Sequence, residues 1–199
     1  MGELYLGLIH YPVLNKRGEV IVTSVTNLDI HDIARSAVAY GVSRYFIINP
    51  VPSQRSLTRR IIEHWMAGYG MSYNPDRGHA LGVVDVVESL AEAVQTITGD
   101  SGRSPTIIGT SARVGNKSVS FSGLRTMIEK DGTPYLLLFG TGWGMADEVK
   151  EVCAYMIEPI QGTGGYRHLS VRSAAAIVLD RLKGRNDTER RCYESVGDD

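Results

Sequence analysis

The sequence predicts a single α/β domain with a mostly parallel sheet flanked by helices. Three features of the chain lead there. Apolar runs of strand length alternate with stretches of helical spacing, an order that builds a parallel sheet covered on both faces. The clearest run, residues 135–139, is continuously apolar and leads directly into a glycine-rich loop, as a buried parallel strand does. The composition, 43% hydrophobic and 22% charged over 199 residues, is that of an ordinary globular domain able to bury a core without disulfide or metal.

Residues 4–9 read as the first strand and 19–23 as a second, weaker one. Over 29–40 the apolar residues Ile30, Ile33, Ala34, Ala37 and Val38 recur at helical spacing, with Gly41 as the stop. Residues 45–48, ending at Asn49-Pro50, form a buried strand. The alternation continues with a helix over 56–67, a strand over 80–86 and a helix over 87–98. After a turn-rich connection come a strand at 106–109, a helix at 122–129, the strand 135–139 and an apolar run at 152–157. A strong helix covers 169–182, with Ala174, Ala175, Ala176, Ile177 and Val178 at its centre. No repeat or linker interrupts the chain, so residues 1–184 are expected to form one domain and 185–199 a polar, fraying tail.

The formal net charge of -1 argues against a strongly basic nucleic-acid protein, although RNA binding needs only a local basic surface. Basic residues collect at Arg55, Arg59 and Arg60, at Arg113 and Lys117, and at Arg167 and Arg172. Cys153 and Cys192 lie far apart without metal-ligand spacing, and Cys153 reads as a small core hydrophobe. The first eleven residues lack a basic start, and no apolar run approaches the ~20 residues needed to span a bilayer. A soluble, cytoplasmic protein without membrane contact is expected.

Three segments carry chemical promise, each where an expected strand ends and open α/β sheets bind ligands. The first is Phe139-Gly140-Thr141-Gly142-Trp143-Gly144-Met145, where glycine permits positive φ and close approach of a ligand. Its spacing is neither a P-loop nor a dinucleotide fingerprint. The second runs from Glu158 to His168 and holds Gly162, Gly164 and Gly165, three glycines whose ordering is entropically expensive. Its His168 can serve as acid or base, cap the following helix, or sit in solvent. In the third, residues 27–35, Asn27 or Asp29 can cap a helix on which His31 and Arg35 share a face.

Together these segments resemble the SPOUT class of S-adenosylmethionine-dependent RNA methyltransferases, in order as well as composition. Residues 33–42 read I-A-R-S-A-V-A-Y-G-V, close to the first motif of the ribose 2'-O enzymes, I-A-R-T-A-x-A-F-G-V. Residues 138–145 match the second, an apolar strand ending in F-G and a glycine-rich loop. Residues 169–177, L-S-V-R-S-A-A-A-I, resemble the third, L-N-V-S-x-A-A-A-I. The glycine-rich loops also look like those of the tRNA (guanine-N1) methyltransferase branch, and the whole chain resembles a small bacterial SPOUT family related to it.

The resemblance implies a deep trefoil knot in the C-terminal half and a homodimer acting on tRNA or rRNA. It implies S-adenosyl-L-methionine as cofactor, held by Leu138, Phe139, Gly140, Thr141 and Gly142 from the second motif. Ile157, Pro159, Ile160, Gly162, Gly164, Gly165, Tyr166, His168 and Leu169 would hold it from the loop before the last helix. Gly109, Thr110 and Ser111 would complete the pocket. Arg35, the motif-one arginine, and Ser170, in place of the motif-three Asn, are the implied catalytic residues. The chain departs from the 2'-O pattern at Gly142-Trp143-Gly144, where a glutamate is common, at Ser170 and at Arg172. The alternative function is a catalytically inactive knotted module that binds RNA or regulates.

Overall fold

The computed structural model describes residues 2–113 and 117–185. Seven strands form one sheet in the order β5-β4-β1-β8-β6-β9-β7. β1 (Leu4–Ile9) lies between β4 (Arg44–Ile48) and β8 (Tyr135–Gly140), and β5 (Val84–Val87) forms one edge. Beyond β8 come β6 (Thr106–Gly109), β9 (Tyr155–Ile157) and the short β7 (Ser118–Val119). Every pairing within this sheet is parallel. A separate antiparallel hairpin, β2 (Val13–Leu14) with β3 (Val20–Ile21), follows β1.

Strand alternation sorts the core into two layers. Leu4, Leu6, Leu8, Tyr45, Ile47, Tyr135, Leu137 and Phe139 pack on one face. Against them lie α1 (Asn27–Ala39), α2 (Pro52–Met66), α4 (Pro75–Leu81), α6 (Phe121–Lys130) and α8 (Val171–Lys183), with the short α3 (Tyr69–Tyr73) beside α2 and α4. Tyr5, Ile9, Phe46, Ile48, Leu136 and Leu138 point to the opposite face, covered by α5 (Leu90–Ser101) and α7 (Asp147–Glu151). Period-two alternation in the strands and three-to-four spacing in the helices make these layers. Among the described residues, no helix is long and apolar enough to cross a membrane.

Several boundaries differ from those expected. The strand expected over 80–86 begins at Val84, because Asn74 caps a helix at Pro75 by accepting from the Arg77 amide, and Ala80 and Leu81 complete that helix. The following helix starts after Ser89, whose hydroxyl accepts from the Glu92 amide, so Val87 stays in the strand. Gly102, at φ +69, ends it. α2 starts at Pro52, four residues before the expected boundary, with proline in its first turn where a missing N–H is harmless. The cap of α1 is Thr26 instead of Asn27 or Asp29. Residues 19–23 contribute only two strand residues, outside the main sheet. The tail expected at 185–199 lies almost wholly outside the described residues, as does Cys192.

Candidate cofactor site

β8, β6 and β9 lie side by side and parallel, with Gly109 paired to both Leu138 and Met156. Their carboxyl ends therefore release three loops along one sheet edge.

The loop after β8 is folded tightly on itself and pinned from outside. A Cβ on Gly140 would lie 2.6 Å from the Met145 nitrogen and 2.7 Å from its Cγ. The Gly144 amide donates to the Thr141 carbonyl at 3.0 Å. Leu14 N donates to Gly144 O and Trp143 N to Leu14 O, both at 2.9 Å, so the segment after β1 zips along the loop. Gly142 takes φ +60 with its Cβ position 2.8 Å from the Leu14 carbonyl, which makes glycine necessary twice over. The Thr141 amide and hydroxyl both donate to Ile9 O, at 3.2 and 3.0 Å.

The loop after β6 starts at Gly109, whose Cβ position is 2.5 Å from Met156 Sδ and 2.9 Å from Cys153 Sγ. That glycine lets β6 and β9 approach. Thr110 donates both its amide and its hydroxyl to Leu138 O, at 3.1 and 2.9 Å, so the Leu138 carbonyl is already engaged and its side chain is core. Ser111 accepts from the Arg113 amide. Cys153 is buried, its thiol donating to Val149 O, and burial pushes it up to about 11. The core role expected of it stands.

The loop after β9 is built differently. Ile157 and Pro159 are buried, and Ile160 packs on the core. The Glu158 carboxylate accepts from the Phe121 amide at 2.8 Å and anchors the loop's root. Beyond it, all ten residues at 161–170 are exposed, including Tyr166 at 72% and Leu169 at 40%. From Pro159 to Leu169 no backbone group enters a backbone–backbone hydrogen bond with another described residue. Gly165 needs glycine for φ +70, but Gly162 and Gly164 take ordinary φ with open space around their Cβ positions. Packing within the chain does not demand glycine at those two. Tyr166 and His168 meet edge to face at 5.8 Å. Ser170 caps α8 by accepting from the Ser173 amide, so the cap is neither His168 nor a free hydroxyl.

Arg35 belongs to α1 and not to these loops. It is exposed on α1, and no hydrogen bond or ion pair joins it to a loop residue among those described. What joins α1 to the C-terminal motif is Arg172, which reaches Asp29 at 3.0 Å and Asp32 at 3.3 Å. Sequence reasoning noted Arg172 as part of a basic cluster with Arg167 and as a departure from the third motif, not as a partner of α1. The paired acids at 29 and 32, one turn apart on the motif-one helix, were the signal that a cation must face them.

A second feature also escaped sequence reasoning. His10, fully buried at the end of β1, shares a 3.0 Å hydrogen bond through Nδ1 with the Thr23 hydroxyl. Thr23 in turn bonds the Thr141 hydroxyl, and Asn49 Nδ2 donates to Thr23 O. This buried polar chain ties the glycine-rich loop to the central strand. Burial holds the His10 imidazole down at about 4, with Asp29 opposing that shift. The folded value lies below the ordinary 6.5. The unfolded chain therefore binds the extra proton first, and stability falls as pH drops from about 6.5 to about 4. The loss attributable to His10 is about 3 kcal/mol. Chemical denaturation of His10→Gln at pH 7 and pH 4.5 is expected to show a smaller pH dependence than wild type. Identical slopes would contradict the assignment.

Residues 3–184 match the family described as SAM-dependent RNA methyltransferase. The chain belongs to the SAM-dependent RNA methyltransferase family. S-adenosyl-L-methionine is the cofactor of that family. A relative in Aquifex aeolicus, described as an uncharacterized protein, is 41% identical over 184 residues, 92% of this chain and 90% of that protein. A tRNA (guanine-N(1)-)-methyltransferase of Oleidesulfovibrio alaskensis is 46% identical over 182 residues. That match takes in 92% of this chain but 42% of the relative, so the family domain here spans less than half of that protein. The TrmH/SpoU tRNA modifying enzyme of Aquifex aeolicus superposes with a TM-score of 0.53 at 19% identity, covering 98% of this chain and 80% of that one. The fold of this methyltransferase-family chain is thus the SPOUT fold.

Proposed function

We propose that this chain transfers the methyl group of S-adenosyl-L-methionine to tRNA or rRNA, acting as a homodimer in the cytoplasm. The unbonded backbone at 159–169, with glycines at 162 and 164 that packing does not require, carries this reading. Free N–H and C=O groups beside a closed glycine turn suit a ligand with donors and acceptors on a flat ring. In this reading residues 1–184 are one catalytic domain with a knotted C-terminal half, and 185–199 is a tail.

Phe139, Gly140, Thr141 and Gly142 form one wall of the site, with Gly109 and Thr110 setting its floor through the strands. Ile157, Pro159 and Ile160 root the opposite wall, and Gly162, Gly164, Gly165, Tyr166, His168 and Leu169 close it. The bound cofactor supplies an electrophilic methyl on a sulfonium. The protein's contribution is to hold the acceptor in line and to stabilise charge on it. Arg35 supplies that positive charge. It makes no hydrogen bond or ion pair to the described loops of its own chain, and a dimer in which the partner's loops face it would bring it to the reacting atoms. The exposed apolar side chains Trp143, Val152, Tyr155, Tyr166 and Leu169, beside the loops, suit burial against a second copy. Ser170 positions α8 and, through it, Arg172. The guanine-N(1) activity named for the longer relatives is not carried over, because more than half of their length lies outside the match.

The test is transfer of radiolabelled methyl to tRNA and rRNA from cells lacking this gene. Arg35→Ala is expected to keep cofactor affinity and lose about 100-fold in transfer. Loss of both in a folded variant would contradict the role of Arg35. Wild-type cofactor binding without transfer to either RNA would favour the inactive RNA-binding alternative.

A further inference from the structure

Arg55, Arg59 and Arg60 read in sequence as one basic cluster, yet the helix divides them. Arg55 donates to the Asn49 and Pro50 carbonyls and pairs with Glu88 at 2.9 Å. Arg59 donates to Val86 O at 2.7 Å, beside a cavity that also holds Glu63, Asp85 and Glu92. Both cations are absorbed by the edge of the sheet. Arg60, about 100° further round α2, has no such partner among the described residues and does not line that cavity.

It faces an open groove of about 660 Å³ lined by Asn27, Leu57, Arg60, Ile61, His64 and Trp65. Among the described residues no carboxylate lines this groove, in contrast to the cavity beside Arg59. Arg77 lies 4.3 Å over the Trp65 ring, and His31 and His64 meet that ring edge-on at 5.6 and 5.3 Å. The nearby acids of α1, Asp29 and Asp32, share the single Arg172 cation, which offsets one of their two charges. Burial above all lowers the His31 imidazole, with Arg77 and Arg35 adding to the shift and Asp32 opposing it. Both α1 and α2 begin at the carboxyl edge of the sheet, the edge that carries the glycine-rich loops, and Arg35 lies one turn beyond His31 on α1.

We propose that this groove between α1 and α2 binds the phosphate–ribose backbone of the substrate RNA and leads it toward Arg35. The proposal rests on the chain being an RNA methyltransferase. A backbone contact fits better than a stacked base, because Trp65 is already occupied. Arg77 covers its ring, and the Cβ position of Gly70 is 2.6 Å from Cε3. Arg60 and His64 remain as donors at the rim, with Asn27 opposite. Side-chain donors of this kind position a nucleic acid without reading its sequence.

Binding of deacylated bulk tRNA and of rRNA to the full chain is measured by anisotropy across a salt series, with cofactor affinity measured in parallel. The double variant Arg60→Ala, His64→Ala is expected to lose about 10-fold in RNA affinity, with a log–log salt slope shallower by about one. Cofactor affinity and circular dichroism should stay at wild-type values, and Lys130→Ala, at the end of α6 by the amino edge of the sheet, should leave RNA affinity unchanged. Wild-type RNA affinity and slope in the double variant would overturn the groove assignment alone. Wild-type protein that binds cofactor but neither RNA would overturn the RNA reading and the groove with it. If Arg60→Glu dissociates a dimer in sedimentation while RNA affinity per subunit holds, the groove is a subunit seam and the proposal fails.

Discussion

Gly140→Val is expected to abolish binding of S-adenosyl-L-methionine, with at least a 100-fold loss of affinity in calorimetry. The reason is geometric. A Cβ at position 140 falls 2.6 Å from the Met145 nitrogen and 3.0 Å from the Gly144 carbonyl carbon, both backbone atoms that cannot rotate away. The turn must open to admit it. Opening it strains the bonds that zip Leu14 to Gly144 and Trp143. A misplacement of about 1 Å in a binding loop is enough to cost two orders of magnitude. Retained affinity would mean that the ligand does not touch this turn. Because Gly140→Val also perturbs packing, its loss of binding gains meaning beside Gly164→Val, whose Cβ position is open and whose φ is ordinary. That second variant should keep wild-type stability.

Arg172→Ala is expected to destabilise the domain by about 2 kcal/mol, and to lower Tm by about 5 °C. Arg172 pairs with Asp29, whose side chain is 6% exposed, and removal leaves that carboxylate buried with the Thr26 hydroxyl as its remaining side-chain donor. Breaking a buried pair costs about 3–5 kcal/mol, and the expected value is lower because 31% of the Arg172 side chain is exposed. Adding Asp29→Asn should recover part of the loss in urea unfolding, since the orphaned charge disappears. A single variant as stable as wild type would show that the link between α1 and α8 rests on apolar packing alone.

Much of the architecture was legible because it depends on local periodicity. Ile30, Ile33, Ala34 and Ala37 on α1, and the apolar strand at 135–139, carry their burial in their spacing. The misplaced boundaries at Val84 and Ser89 came from capping side chains, Asn74 and Ser89, that override hydrophobicity at element ends. The three loops were legible from their glycines, yet those glycines do different things. Gly109 and Gly140 are required by contacts within the chain, Gly142 and Gly165 by positive φ, and Gly162 and Gly164 by neither. The buried chain from His10 through Thr23 to Thr141, and the bridge from Arg172 to Asp29 and Asp32, were not legible. Each joins residues more than ten positions apart, and their pairing follows from strand order, which spacing does not encode.

The loops at 139–142 and 157–169 are expected to form the cofactor site. The most direct test is calorimetric titration of wild type and Gly164→Val with S-adenosyl-L-methionine and S-adenosylhomocysteine. Wild type should bind both at about micromolar Kd, near -8 kcal/mol. Gly164→Val should retain its Tm yet bind at least 10-fold more weakly, because the added side chain meets the ligand and nothing else. A folded wild-type protein that binds neither ligand, or a Gly164→Val variant with unchanged affinity for both, would contradict the account.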